Sequence, residues 1–219
     1  MSAVASYDKK YSGGGWTYRE PGERKHLEIM LKAAGLEPPA SIIEVACGMG
    51  FHTNLLHQMG FRVVGNDYSE IGIHKAQQEY PDIRFVWGDS QKLPETFGRD
   101  RFDAVMARGH SHHHYDLPLS GKSRKGVDVV ASTKSMFELI KPGGAMMMTI
   151  RTSFAGDDYS DGVVNNELAA YASLFSRFGS VETIMDLEGT AIIDDAHARE
   201  LGKKPNNGII LVARKPSQS

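Results

Sequence analysis

The sequence predicts an α/β fold, a doubly wound and mostly parallel sheet closed by an antiparallel pair of strands. Three observations carry this. Short β-branched apolar runs alternate with helical patterns through the first two thirds of the chain. The runs read as strands buried on both faces, as parallel strands are. The last two apolar runs have no clear helical pattern between them.

The elements follow in order. Residues 1–18 are polar and aromatic around Gly13-Gly14-Gly15, and a triple glycine predicts a mobile arm or lid. Residues 20–34 carry Leu27, Ile29, Met30, Leu31 and Ala34 and stop at Gly35, which predicts a helix. ASIIEVAC is the first strand; GMG then turns into the helix FHTNLLHQMG, stopped by Gly60. FRVVGND is the second strand, and SEIGIHKAQQEY the second such helix with Ser69 as its N-cap. IRFVWGD, RFDAVMA and GAMMMTI are strands three to five. The helix before strand five spans about 127–140 and closes on KPGG, and a further helix covers about 163–178. SVETIMDLEG and NNGIILVARKP are the final strands, with an irregular segment at about 189–206 between them. No repeat, linker or boundary appears, so 1–219 reads as a single domain.

Composition excludes several function classes. The 219 residues suffice for a full core and carry a net charge of −2 with no polybasic run. Nucleic acid is therefore excluded as a primary partner, since phosphate neutralisation needs clustered Lys and Arg. No apolar run is long enough to span a bilayer, so no membrane is expected. The single cysteine, Cys47, leaves no intrachain disulfide and fits a reducing compartment. MSAVASYDKKYSGGGW lacks the apolar core of a leader peptide. The expectation is a cytoplasmic protein with a small-molecule substrate, of unspecified oligomeric state.

The turn EVACGMGFHT suggests a ligand site. Gly48 and Gly50 let the backbone turn tightly and approach a ligand. A nicotinamide-dinucleotide fingerprint needs a third glycine where this chain has Thr53, which disfavours an oxidoreductase. Three carboxylates accompany the turn: Glu44 within strand one, Asp67 ending strand two and Asp89 ending strand three. A carboxylate at the end of strand two can accept both ribose hydroxyls of a nucleoside.

The order EVACGMG, VVGNDYS, WGDSQKLP, FDAVMARG, LIKPGG resembles the class I S-adenosylmethionine-dependent methyltransferases over roughly residues 40–150. VACGMG and GHSHHHY are also similar to the glycine/sarcosine type of small-molecule N-methyltransferase. The resemblance implies a Rossmann-like seven-stranded sheet with one strand antiparallel near the edge, and S-adenosylmethionine as cofactor. It implies that Glu44 and the turn from Ala46 through Gly48 to Gly50 hold the methionine moiety. Asp67, with Tyr68 beside it, would bind the ribose; Asp89 and Ser90 would recognise adenine. Arg108 and Gly109 would flank the methionine end through their backbone, and Tyr11 would close over the sulfonium.

HSHHHY at 110–115 follows strand four, and ligands bind at the carboxyl ends of strands in open α/β sheets. Three readings stay open. The histidines form a locally hydrogen-bonded polar loop; or His110 and His114 orient or deprotonate the nucleophile, since imidazole titrates near neutrality; or two of them ligate a transition metal with Asp116. Arg151, ending strand five, either clamps a carboxylate or is a solvated strand-end charge. Trp16, Tyr18 and Tyr159 either wall a pocket or pack, and Asn206-Asn207 reads as a turn.

These observations predict a methyltransferase acting on a small-molecule nucleophile. The alternatives are a cyclase or lyase that consumes S-adenosylmethionine and releases methylthioadenosine, and a non-catalytic S-adenosylmethionine-binding module.

Overall fold

A computed structural model describes residues 3–110, 112–113, 128–158, 164–204 and 208–217. Seven strands form one sheet: β1 Ser41–Val45, β2 Arg62–Asp67, β3 Arg84–Trp87, β4 Phe102–Arg108, β5 Ile140–Ile150, β6 Ser180–Asp186 and β7 Ile209–Arg214. Their spatial order is β3-β2-β1-β4-β5-β7-β6. Pairing is parallel from β3 to β5, and β7 runs antiparallel to both β5 and β6. The sheet is therefore Rossmann-like with one antiparallel strand next to the edge. The order reverses at β1, where the chain leaves β3 and crosses to β4, so the carboxyl ends of β1 and β4 form the switch crevice.

Described helices are α1 Ala3–Ser12, α2 Glu20–Ala33, α3 Phe51–Gln58, α4 Glu70–Glu79, α5 Leu93–Phe97, α6 Val129–Leu139, α7 Leu168–Ser176 and α8 Asp195–Gly202. Ser69 caps α4 by accepting from Gly72 N, as its hydroxyl allows. Asp128 caps α6 in the same way through Ala131 N.

Strand alternation assigns the core to two faces. Ile42, Ala104, Met106, Ala145 and Met147 pack beneath α2 and α3 with Leu27, Met30, Leu55 and Leu56. Ile43, Val45, Val105, Ala107, Met146 and Met148 pack on the opposite face with α6 and α7.

Four local expectations change. Residues 3–12, expected to be part of a mobile arm or lid without fixed structure, form a helix, and α1 packs on α4. The segment between the last strands contains α8, capped by Asp194 through His197 N at 2.8 Å. The helix placed at 163–178 starts only at Leu168, because Val164–Asn165 pairs with Asp157–Asp158 in a two-residue ladder. KPGG does not follow a helix as a cap. It lies inside β5, where the register slips between Phe102 and Ala104 and Gly144 sits too close to Asp103 O for a side chain.

Candidate active site

The glycine turn joins β1 to α3 through three residues with left-handed backbone: Ala46, Gly48 and Gly50. Glycine is needed at Gly50, where a Cβ would lie 2.6 Å from the Phe85 ring. At Gly48 a Cβ would lie 2.8 Å from the Tyr11 hydroxyl, so the turn is open towards α1 only because it lacks a side chain.

Asp67 fastens this turn. Its Oδ2 accepts from Gly48 N at 2.8 Å and its Oδ1 from Ser69 N at 2.8 Å. Burial raises its pKa, against the opposing pull of those backbone N–H groups. Tyr11 lies on the turn, buried against Gly48 and Gly72, and Lys75 Nζ donates to the Tyr11 carbonyl at 2.7 Å. Asp8, one turn earlier on α1, accepts from the Ser69 hydroxyl at 2.5 Å. Tyr68 is exposed, and its carbonyl accepts from Trp87 Nε1 at 2.9 Å. Asp89 Oδ1 accepts from Gln91 N at 2.9 Å, which orders the turn carrying Ser90.

A polar cluster occupies the α2/α3 face above the apolar core. The Thr53 hydroxyl donates to Glu44 Oε2. Thus the residue that breaks the dinucleotide fingerprint serves the carboxyl at the top of β1. His52 Nε2 lies 3.0 Å from Glu23 Oε2, and His52 Nδ1 lies 3.7 Å from Glu44 Oε1. Arg108 Nη2 donates to Glu23 Oε2. Arg108 Nε is buried and has no hydrogen-bond partner among the described residues. Burial pushes the Glu44 carboxyl up to about 8 and the His52 imidazole down to about 4. Glu23 is also opposed by burial, but its hydrogen bond with His52 and the Arg108 charge bring it down to about 2. Near neutral pH the cluster therefore holds a neutral Glu44, a neutral His52 and a Glu23–Arg108 ion pair. Tyr18 stacks on Phe51 at 5.1 Å and meets His52 edge-on at 4.6 Å, covering the cluster. Arg151 is exposed just beyond β5 and acts electrostatically on Tyr18, His52 and Arg108.

A second polar cluster lies on the α6 face. His110 and His113 are buried, and their Nδ1 atoms are 3.0 Å apart. His110 Nε2 meets Ser90 Oγ at 3.1 Å, and His113 Nε2 meets Thr133 Oγ1 at 2.9 Å. His112 Nδ1 meets Ser132 Oγ at 2.6 Å. Tyr171 donates to the His113 carbonyl at 2.9 Å. His114, Asp116, Tyr159, Asn206 and Asn207 lie outside the described residues. Among the described residues, no group of three or more His, Cys, Asp or Glu is placed to hold a metal ion.

The structure thus brings Tyr11, Ala46, Gly48, Gly50 and Asp67 together at one turn. Glu44 and Arg108 join a separate cluster on the α2/α3 face, and Asp89, Ser90 and His110 gather beside α6. Glu23, His52, Ser132 and Thr133 were missed in the sequence. Glu23 carried a usable signal, because it shares the helical stripe of Leu27 and Met30 on α2. Strand alternation likewise puts Glu44 on the face of Ile42, and Arg108 on that of Ala104 and Met106. The partners of the histidines carried no such signal.

Comparison with known proteins places this geometry. A family model described as a methyltransferase domain matches residues 42–144. Over residues 42–144 the chain is thus similar to methyltransferase domains. The matched stretch spans β1 to the first half of β5 and contains the turn, Asp67, Asp89 and Arg108. A Bacillus subtilis (strain 168) protein, YqeM, named as a methyltransferase, is 32% identical over 122 residues, 55% of this chain and 46% of that protein. The chain spans about half the length of the curated relatives it matches. Among solved structures, a TehB-like S-adenosylmethionine-dependent methyltransferase from Corynebacterium glutamicum aligns with a TM-score of 0.61 at 16% identity, covering 96% of this chain and 95% of that one. The [4+2]-cyclase SpnF aligns with a TM-score of 0.70 at 15% identity, covering 98% and 95%. These likenesses are of fold. No helix among the described residues is long and apolar enough to cross a membrane.

The chain's own residues fit the cofactor of this family. The turn offers backbone with no side chain at Gly48, Asp67 supplies a fixed carboxylate, and Glu44 is a buried acid facing a neutral imidazole.

Proposed function

We propose that this chain transfers a methyl group from S-adenosylmethionine to a small-molecule nucleophile in the cytoplasm. The observation that carries the reading is the Asp67 carboxylate, buried at the end of β2 and bonded to Gly48 N of the turn within a stretch similar to methyltransferase domains. S-adenosylmethionine, when bound, supplies an electrophilic methyl group on a sulfonium. Asp67 would take the ribose hydroxyls, Asp89 and Ser90 the adenine, and Glu44 with the Ala46–Gly50 turn the methionine end. Tyr11 and Tyr18 would exclude water, and most of the acceleration would come from positioning. Proton removal from the acceptor is assigned to the 110–114 loop. His110 and His114 are the residues assigned to that step, and the His110 ring is held by Ser90 and His113.

A second reading has support from one neighbour. SpnF shares the fold and is named a cyclase, so the same sheet serves chemistry other than methyl transfer. On this chain that would be a cyclase or lyase step on S-adenosylmethionine itself. Incubation with S-adenosylmethionine, with and without a metabolite extract, separates the readings by liquid chromatography–mass spectrometry. S-adenosylhomocysteine formed only with extract supports methyl transfer. Methylthioadenosine formed without any acceptor replaces it with the second reading. Tight binding without either product leaves a non-catalytic binding module.

A further inference from the structure

Strand alternation puts two arginines on one face at neighbouring strand ends. Arg108, the last residue of β4, pairs with Thr149 of β5, and Arg151 lies two residues beyond Thr149. Residues two apart share a face, so Arg151 rises from the face that carries Arg108. Met30 of α2 marks that face: its Sδ lies 3.8 Å from Arg108 Nη1 and 3.6 Å from Thr149 Oγ1. The Arg151 stem has a seat of its own. Gly208 immediately precedes β7, and a Cβ there would lie 3.1 Å from Arg151 Cγ and 3.3 Å from Leu187 Cδ1. The bare glycine makes room that the Arg151 stem and Leu187 share.

Donors outnumber acceptors at this rim. The Arg108 side chain is 94% buried; its Nη2 donates to Glu23 Oε2, and its Nε–H, which can only donate, has no hydrogen-bond partner among the described residues. His26 Nδ1 is also buried without a hydrogen bond among the described residues, 3.8 Å from the same Glu23 oxygen. Glu23 Oε2 is already shared between Arg108 and His52, and burial keeps the Glu44 proton up to about pH 8. Burial pushes the Tyr18 phenol up to about 12, so it too keeps its proton. Arg151 extends the positive field over the group, disfavouring the charged forms of His26, His52 and Arg108. A rim guanidinium, a buried guanidinium N–H and a phenol O–H thus face a place where the chain's own carboxylates are spent or neutral.

We infer that Arg151, with Arg108 Nε as a second donor, binds a carboxylate on the methyl acceptor, whose class is therefore an organic acid. The proposed cofactor site runs along the ends of β2 and β1, from Asp67 to Glu44. Arg151 stands two strands beyond β1, about 10 Å across the sheet, and is exposed, so an acceptor reaches it from solvent. A guanidinium fork takes a carboxylate through two parallel N–H bonds, a match that a neutral amide lacks. Gly208 and Glu23 are positioning residues: one leaves room for the Arg151 stem and the other turns Arg108 inward. The inference rests on the proposed methyl-transfer reading, and its test separates the two.

Acetate and acetamide are titrated at constant ionic strength into the histidine-labelled full chain saturated with S-adenosylhomocysteine. The His26 ring signals, assigned by their absence from His26→Gln, report the site. Acetate is expected to give a saturable shift that acetamide does not. Arg151→Gln should weaken acetate binding at least tenfold while calorimetry shows S-adenosylhomocysteine affinity within twofold of the unaltered protein. Gly208 has no left-handed backbone, so Gly208→Ala acts through the Arg151 stem and should weaken acetate at least threefold. A metabolite extract split on an anion exchanger supplies the second readout. S-adenosylhomocysteine should form from S-adenosylmethionine with the retained fraction, and carbodiimide amidation of that fraction should abolish it. Equal responses to acetate and acetamide, acetate binding unchanged in Arg151→Gln, or an acceptor found in the unretained neutral fraction defeats this inference alone. Acetate that displaces S-adenosylhomocysteine also defeats it, by assigning the donors to the cofactor's own carboxylate. No binding of S-adenosylhomocysteine by the folded protein defeats the cofactor reading and this inference with it.

Discussion

Replacing Glu44 with Gln tests the electrostatics of the α2/α3 cluster most directly. Glu44 is fully buried, and burial raises its carboxyl from 4.5 to about 8. The unfolded chain ionises near the ordinary value, while the folded chain keeps its proton until about 8. Between these values the folded state binds more protons, so stability falls as pH rises and levels off above the folded value. Integrated from pH 5 to pH 8 with that shift, the loss is about 3.5 kcal/mol, on the order of 1.4 kcal/mol per pH unit through the steep region. Glutamine has the shape of the protonated acid and no titration. It can accept from Thr53 as the carboxyl does, and it places an uncharged amide near His52 Nδ1, which lies 3.7 Å from Glu44 Oε1. At pH 5 the substitution should cost no more than about 1 kcal/mol, one rearranged hydrogen bond. By pH 8 Glu44→Gln should be the more stable protein by about 2–3 kcal/mol. Urea unfolding of both proteins at half-unit steps from pH 5 to 8.5 reads the difference, which cancels contributions from every other group. A constant difference, or a variant that becomes less stable relative to wild type as pH rises, refutes a neutral Glu44 and shows an ionised, paired one.

Other outcomes follow from the same geometry. If Glu44 holds the cofactor ammonium, it must ionise on binding, so calorimetry at pH 7 in buffers of different ionisation enthalpy should show proton release that Glu44→Gln abolishes. Asp67→Ala should weaken S-adenosylhomocysteine binding at least 100-fold in titration calorimetry, since two charge-assisted hydrogen bonds of about 1.5–3 kcal/mol each are lost; unchanged affinity would remove Asp67 from the site. Gly48→Ala should destabilise by at least about 1 kcal/mol, from its left-handed backbone and the contact with Tyr11. Combining it with Tyr11→Ala should cost less than the sum of the two, and strict additivity would show that the ring does not lie on the turn. Asp103 resists some burial, but hydrogen bonds from Lys141 and Ser41 hold its carboxyl at about 2. Its stabilisation is present above the unfolded value of 3.8 and is lost as pH falls towards 2. Asp103→Asn should flatten acid unfolding in that window by about 1–2 kcal/mol, allowing for the partly exposed Lys141.

The sheet was legible because strands buried on both faces leave continuous apolar runs, and because each early strand ends in a glycine or a carboxylate. The pairing of the last strands was legible for the same reason. The helix α8 was not. ARELG offers few apolar positions, and the helix depends on the Asp194 cap and on burying Ala198. Helix α1 was hidden by the glycines that follow it, although its hold on the fold comes from tertiary partners: Tyr11 on the turn, Asp8 on Ser69 and Lys75 on its last carbonyls. At the site, the residues tied to the turn could be named from the motif order. Side-chain direction could not be. Arg108 was read for its backbone, yet its guanidinium turns inward to Glu23, 85 positions away. His110 was read as a group that orients or deprotonates the nucleophile, as a member of a locally hydrogen-bonded loop or as a metal ligand, and the sequence could not show that its ring nitrogens meet Ser90 and His113.

The distribution of polar groups adds an argument about function that no single residue makes. Below the carboxyl edge both faces of the sheet are apolar, with Leu, Ile, Met and Phe filling the layers. At the edge both faces change at once. Glu23, Glu44, His52 and Arg108 sit on one side of the sheet, and Ser90, His110, His113, Ser132 and Thr133 on the other. Buried polar groups are weak stabilisers, because each loses hydration that its partners only restore. A chain selected for stability alone would continue the apolar layers to the rim. Two such clusters flanking the β1/β4 crevice instead give that crevice fixed donors and acceptors whose orientation is set before a ligand arrives. That is the arrangement expected where positioning, rather than a single strong base, supplies the catalysis.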